Sequence, residues 1–335
     1  MCIRDSNKTS DRSGGSPAFG IKVDGGTLEA KGSTTLTVKS NGANATGLQL
    51  SAKNYQSTTG ALQFQSTATI HNLTAYATSK TGSAYGVRVQ NPPGKDVNLT
   101  LSGDVSVSAN ASKDTKGSFA NGVRQSGGKV ILGSEGKSVT ISANGFSDEE
   151  NGPTTKAVML EEKGDLTIEG KTIAISSNGR GLQASEPSTM RVGNREKTEL
   201  ISIKSESMGV FALTGAEIEM QAQKISVVSN ASGLGAIHTQ NNQEAPEPSV
   251  DASFVTIKAD NLEVTNTAEG GAGLSAFSNG KLDVDANLII KATNALDVRG
   301  NSSVNINTDT STQKATKLDG DIVFETPWTT DGEFQ

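Results

Sequence analysis

The sequence predicts an all-β chain wound into a right-handed, three-faced parallel β-helix of about ten rungs with loop insertions. Two observations carry that expectation. An apolar–polar–apolar triplet, the period-2 mark of a strand with one buried face, returns along the chain. It reads Leu36-Thr37-Val38, Leu73-Thr74-Ala75, Val105-Ser106-Val107, Val139-Thr140-Ile141, Ile173-Ala174-Ile175, Ile201-Ser202-Ile203, Ile225-Ser226-Val227 and Leu262-Glu263-Val264. A small residue followed by alternating apolar positions also restarts the pattern, at Gly20, Gly47, Gly86, Gly122, Ala157, Gly181, Gly209, Gly235, Gly273 and Ala295. The shortest interval is the 22 residues from Gly273 to Ala295, which is room for three short strands and their turns.

Each unit reads in a fixed order. The restart strand comes first, as in Gly47-Leu48-Gln49-Leu50 and Gly86-Val87-Arg88-Val89. A second short strand follows: Leu28-Glu29-Ala30, Leu62-Gln63-Phe64, Leu166-Thr167-Ile168, Ile218-Glu219-Met220, Leu282-Asp283-Val284 and Val304-Asn305-Ile306. The triplet is the third strand. An asparagine then marks the corner before the next restart, at Asn41, Asn110, Asn144, Asn178, Asn230, Asn266 and Asn294. Asparagine tolerates the left-handed conformation better than any residue but glycine, and its side chain can also bond the adjacent backbone or an equivalent asparagine one rung away, so these positions are expected to be turn residues and to stack. The rival reading of Asn-Gly pairs at 41–42, 144–145 and 178–179 is a type I′ hairpin and an antiparallel sandwich. It leaves the recurring three-strand order unexplained. One unit buries too little to hold itself in order, so stacking on its neighbours is required. Crossover connections between parallel strands give the right hand.

Units longer than the shortest imply insertions around Pro92-Pro93, Asp148-Glu149-Glu150 and Pro246-Glu247-Pro248. Residues 1–17 do not fit the repeat and lack the apolar core of a secretory signal, so they are expected to be unstructured or non-native. Residues 18–335 form the solenoid, which is expected to be truncated at its C-terminal end.

Composition agrees with a slender solenoid. Apolar residues other than glycine make up 33% and aromatic residues 4% of the 335-residue chain, which also carries 37 glycines; a compact globule has roughly 45–50% apolar residues counted with Gly. The net charge of −6 and the absence of a Lys/Arg-rich run argue against nucleic acid as a partner. No apolar stretch approaches the ~18 residues that span a bilayer; the longest cluster is Leu288-Ile289-Ile290. Cys2 is the single cysteine, so no internal disulfide or thiolate metal site is possible.

Searching for chemistry finds no catalytic, cofactor-binding or metal-binding residues to assign. His71 and His238 lack partner signatures, and no hydrolase, metalloprotease, P-loop or dinucleotide motif is present. Asp283 and Asp285 are the best paired carboxylates, on one side of one strand. The outward positions one and two rungs before Asp283 are expected to be Thr256 and Glu219, which do not complete a metal cluster. More regular is the outward middle position of the third strand: Thr37, Thr74, Ser106, Thr140, Ala174, Ser202 and Ser226. Stacked, these make a hydroxyl-rich, nearly uncharged stripe that suits glycans or a second copy of the rod, although Thr and Ser also simply fit exposed strands.

The irregular units, the Ser/Thr/Asn/Gly-rich surface and the run Leu318-Asp319-Gly320-Asp321-Ile322-Val323-Phe324-Glu325-Thr326 resemble passenger regions of Gram-negative autotransporters. That resemblance implies a signal peptide before this region and a membrane β-barrel after it, tethering the passenger to the outer membrane. It implies an extracellular location and a non-enzymatic role in adhesion, aggregation or host contact. The partners would be host or bacterial surface glycans or proteins, or further copies of the chain. The alternatives are a β-helical polysaccharide lyase or hydrolase and a purely structural stalk.

Overall fold

Parallel pairing between distant strands organises the whole chain. A computed structural model describes residues 16–57, 60–91, 96–146, 155–241, 252–307 and 314–325, with backbone alone at 53–57 and 60–64. Every regular element among the described residues is a strand. Twenty-four strands join one sheet, and all its pairings are parallel.

The registers sort these strands into three ladders. In the first, the restart residues align as Ile21, Leu48, Val87, Val123, Val158, Leu182, Val210, Ile237, Leu274, Leu296 and Ile322. The second aligns Leu28, Ala68, Leu99, Val130, Leu166, Met190, Ile218, Val255, Leu282 and Val304. The third aligns Leu36, Ala75, Val107, Ile141, Ile175, Ile203, Val227, Val264, Ile290 and Leu318. Strand Gly280–Arg299 passes through all three, pairing at Leu282, Ile290 and Leu296.

Aliphatic columns from the three ladders meet in one continuous core, with Leu48, Leu99 and Ile141 fully buried. Each such side chain contributes about 1.5–3 kcal/mol by leaving water. A second cluster of small residues, Val38, Ala45, Ala77, Ala84, Ala109, Ala120 and Ala143, fills the corner between the third and first ladders.

The restart glycines answer to that same corner. Their aligned positions are missing from the first-ladder registers, so the strand bends there. A Cβ on Gly122 would sit 2.5 Å from Ile141 Cγ2 and 2.7 Å from the Ala157 carbonyl oxygen. Its φ is not positive, so close approach of two turns, rather than a left-handed backbone, demands the small residue.

Four expectations are corrected. Leu62-Gln63-Phe64 is not the second-ladder strand of its unit: Gly60–Phe64 pairs antiparallel with Lys53–Ser57 as an inserted hairpin, and Ala68-Thr69-Ile70 takes the ladder position. Thr37 does not align with Thr74. A bulge between Ala30 and Ser33 moves the register, so Thr35 aligns with Thr74 and Thr37 with Tyr76. The eighth restart is Ala236 rather than Gly235, because Ile237 aligns with Val210.

At the asparagine corner the left-handed turn is corrected, while the side-chain bonding to backbone holds. None of the seven corner asparagines has positive φ. Asn178, Asn230, Asn266 and Asn294 bond neighbouring turns instead, and Asn110 donates to Ser108 on its own strand. The Asn266 side chain donates to the carbonyls of Ala231, Leu234 and Ala272 and accepts from the amides of Ala231 and Ala268. Asn178 exchanges two bonds with Gly145. Left-handed residues gather at the corner between the first and second ladders, as Gly127-Gly128, Glu162-Lys163, Thr214-Gly215 and Ser278-Asn279.

The expected insertions at Pro92-Pro93, Asp148-Glu149-Glu150 and Pro246-Glu247-Pro248 lie outside the described residues, as do residues 1–15.

Candidate functional site

Three outward faces offer chemistry. On the third ladder, Thr35, Thr74, Ser106, Thr140, Ala174, Ser202 and Ser226 align in register, and all are exposed or half-buried. A second outward column on these strands runs Thr37, Tyr76, Ser108, Ser142 and Ser176. The hydroxyl stripe is therefore present with one substitution, Thr35 for Thr37; it is two columns wide and uncharged as far as Ser176, beyond which Lys204 and Val228 follow in the second column. A shallow groove runs along it between Ser33, Thr74, Ser106 and Thr140, with Asn72 and Asp104 at its margin.

On the second ladder, Asp283 aligns with Thr256 and Thr256 with Glu219, as the sequence predicts. Asp283 accepts a 2.7 Å bond from Asn305 Nδ2. Asp285 faces Lys314 and Arg195, whose Nη1 lies 3.8 Å away. Both carboxylates thus meet their own neighbours. Among the described residues no three His, Cys, Asp or Glu side chains converge to hold a metal ion.

The first ladder differs from both because its strands are buried on both sides, as in Ala45–Ser51 and Ala84–Gln90. Its outward positions form two columns. One runs Thr46, Tyr85, Asn121, Lys156 and Arg180; the other runs Gln49, Arg88, Arg124, Met159, Gln183, Phe211, His238, Ser275 and Asp297.

Lys156 and Arg180 are thus cations on adjoining strands, and so are Arg88 and Arg124. Arg124 is bonded to Glu161, with Nη2 2.7 Å and Nε 2.9 Å from Oε1. Arg88 lies over the Tyr85 ring at 4.5 Å and Arg180 over the Phe211 ring at 4.7 Å. Burial, then repulsion from Arg180 and Arg124, pushes the Lys156 pKa down to about 8. Burial lowers Arg180 to about 10 and also lowers Arg88. Burial opposes the charge of Arg124 as well, but the bond to Glu161 holds its pKa above the ordinary value.

Farther along the same column, His238 stacks on Phe211 at 5.3 Å and meets Phe277 edge-on at 4.8 Å. Its Nδ1 is 2.7 Å from Ser275 Oγ and its Nε2 is 3.1 Å from Gln240 Oε1. Burial lowers its pKa to about 4, so the ring is neutral near pH 7. A His–Ser contact invites comparison with an activated nucleophile. Here His238 is 1% and Ser275 0% exposed, so the hydroxyl is sealed from any substrate. Asp297 forms a bidentate pair with Arg299 at 2.8 Å instead of orienting the imidazole.

Sequence reasoning overlooked this face because it weighed only the outward positions of the third and second strands. The signal was available. Two residues beyond the restarts at Gly86 and Gly122 stand Arg88 and Arg124, and one residue before Ala157 and Gly181 stand Lys156 and Arg180. No protein-family model, curated protein or solved structure matches the chain.

Proposed function

We propose that the chain winds as a right-handed, three-faced parallel β-helix and serves as a non-enzymatic, surface-exposed adhesive rod of the autotransporter-passenger kind. Three in-register ladders joined by short corners support the winding, and crossover sterics give the right hand. The observation that carries the adhesive role is the column of hydroxyls on the third ladder, doubled and uncharged from Thr37 to Ser176 and open to solvent over those turns. Contacts repeated at the sheet spacing of about 4.8 Å are individually weak, but they add through effective concentration. Surface glycans or a second rod would meet this face outside the cell.

Beads coated with the chain test this reading, scored for adhesion to immobilised glycans and to one another. The wild type should adhere, and a triple variant Thr74→Arg, Thr140→Arg, Ser202→Arg should lose about tenfold, the equivalent of about 1.4 kcal/mol. Thr69→Arg with Thr167→Arg, placed on the second ladder, should leave adhesion unchanged. Wild-type beads that bind nothing, or equal loss in both variants, would overturn it.

A further inference from the structure

We infer that Tyr76 is the stacking platform of a neutral-sugar site on the third ladder, with the groove from Ser33 to Thr140 holding the rest of a short, uncharged oligosaccharide. The inference rests on the third ladder being the adhesive face, and it names a glycan rather than a second rod as the occupant of these turns.

Tyr76 breaks the pattern of its column. Its in-register neighbours are Thr37 and Ser108, and Ser142 and Ser176 follow. A tyrosine suits an outward strand position when neighbours cover its ring. Tyr76 is instead 44% exposed. Among the described residues no second ring lies against it, no cation lies over it, and its hydroxyl has no hydrogen-bond partner. Outward rings elsewhere on the rod are covered: Tyr85 by Arg88 and Phe119, Phe211 by Arg180 and His238, Phe254 by Lys281. An aromatic face left in water adds little to stability.

The ring stands beside a groove. Tyr76 and Thr74 lie two residues apart on the same side of the strand Ser66–Ser79, about 6.5–7 Å from each other. Thr74 belongs to the groove that runs from Ser33 through Ser106 to Thr140, about 500 Å³ in volume. Three turn spacings of about 4.8 Å make it about 14 Å long, which suits a short oligosaccharide lying along the stacking direction. Asn72 and Asp104 at its margin are fixed in place. Asn72 Oδ1 accepts from the Asp104 amide, and Asp104 Oδ1 accepts from the Ser138 amide. The Asp104 side chain is 60% exposed, with Lys137 Nζ 4.0 Å from Oδ2, so its carboxylate can still accept bonds from a ligand.

These parts select the class of ligand. A pyranose presents an apolar C–H face and a rim of hydroxyls. The Tyr76 ring meets the first, and the Thr and Ser hydroxyls, the Asn72 amide and the Asp104 carboxylate meet the second. Among the described residues no cation lines the groove, so a sulfated or carboxylated sugar finds no partner there and is repelled by Asp104. A second copy would lay one hydroxyl row flat on another, and a phenol ring standing among threonines and serines holds such rows apart.

Saturation-transfer NMR and calorimetric titration of the chain test the inference. The probes are cellohexaose, maltohexaose, mannohexaose and N-acetylchitohexaose, each also in sulfated form. At least one neutral hexaose should bind, with an affinity that salt leaves unchanged and with saturation strongest on the ring C–H protons. Tyr76→Thr, which restores the residue type of its column, should weaken binding about tenfold, within the range for a ring stacked on an aromatic side chain. Tyr76→Phe should retain it. Val228→Thr, exposed in the same column beyond Lys204, should leave binding unchanged.

No binding by any neutral hexaose, tighter binding of a sulfated form, or unchanged affinity in Tyr76→Thr would each overturn the assignment. Coated beads separate its failure from that of the adhesive reading. Beads that adhere only to one another, with no hexaose bound, would give the face to a second copy and refute the sugar site alone. Beads that bind nothing would refute the face itself.

Discussion

Gly122→Ala isolates the reason that a small residue opens each unit. The φ of Gly122 is not positive, so alanine would adopt it without strain. In an open position the change would stabilise by about 0.4–1 kcal/mol through the unfolded chain. Here the added methyl would stand 2.5 Å from Ile141 Cγ2 and 2.7 Å from the Ala157 carbonyl oxygen. Carbon atoms rest at about 3.5–4.0 Å, so the overlap with Ile141 is about 1 Å. The two turns cannot separate without stretching the parallel bonds on either side of the bend, and the expected cost is about 1–3 kcal/mol. Ile141→Ala alone removes a fully buried side chain and should cost about 2–5 kcal/mol. In its presence the methyl meets only the carbonyl oxygens of Ala157 and Ser142, so the double variant should be more stable than the sum of the single effects by about 1 kcal/mol. Urea unfolding of the four proteins, followed by far-ultraviolet circular dichroism, gives the cycle. Hydrogen exchange should quicken in Ala120–Ser126 and Ser138–Asn144 and stay unchanged in Ala272–Phe277, because stacked units contact only their neighbours. A neutral or stabilising Gly122→Ala, or additivity within about 0.5 kcal/mol, would refute the steric account.

Three further outcomes follow from buried charge and backbone strain. His238 is held neutral to a pKa of about 4, while the unfolded chain takes up its proton near the ordinary value of about 6.5. Between those values the unfolded state binds more protons, so stability falls as pH is lowered through that window, by about 2 kcal/mol at about pH 5. His238→Gln should lose that much less than the wild type between neutral and mildly acid urea titrations, and parallel curves would contradict it. Arg299→Ala leaves the Asp297 carboxylate, 2% exposed, without its bidentate partner. It should cost about 3–5 kcal/mol, and Asp297→Asn in the same chain should restore much of the loss in thermal unfolding. Thr214 holds a φ of 53°, which a β-branched residue tolerates poorly, so Thr214→Gly should raise the unfolding free energy by about 1 kcal/mol; a lower value would show that the threonine side chain matters more than the strain.

The inward residues were legible because their environment repeats. Val105, Val139, Ile173 and Ile201 each face the same core from the same ladder position, so apolar alternation returns in phase and the triplets align as read. Phase was lost where chain length changes without a change in pattern. The bulge after Ala30 aligns Thr34 and Leu36 with Leu73 and Ala75, whereas the apolar pair in the sequence is Leu36 and Val38, so composition favours the wrong alignment. The hairpin at Lys53–Ser57 and Gly60–Phe64 imitates the second strand, because an isolated pair of strands alternates too. The left-handed half of the corner reading failed for a different reason. Asn178 and Asn266 are selected for side-chain bonds across turns, which look the same in sequence as a left-handed turn. The residues that do turn left include Glu162, Lys163 and Ser278, whose types give no such signal. Of the candidate faces, the hydroxyl stripe was visible as a repeated type at a repeated place. The basic row was hidden because its members are split between two columns offset by three residues.

That split also sets the row apart from the rest of the surface. Cross-turn neighbours elsewhere on the surface are chosen with opposite signs: Arg191 Nη1 is 2.9 Å from Asp165 and Lys224 Nζ is 3.3 Å from Glu263. The stacking is the same in each case, and so is the distance over which charges act. At about 5 Å and an effective dielectric near 20, two unit charges interact by about 3 kcal/mol before their side chains splay apart. Opposite signs recover part of that as stability and like signs forfeit it, more so where the side chains are half-buried and less screened. A chain shaped by stability alone would place a carboxylate beside Arg88 or Arg180, as it does beside Arg124 and Arg191. It places aromatic rings there instead, under cations that still reach solvent. The sign pattern between Arg88 and Arg124 is therefore one that stacking does not favour, and the rings beneath Arg88 and Arg180 are what hold these guanidinium groups in place.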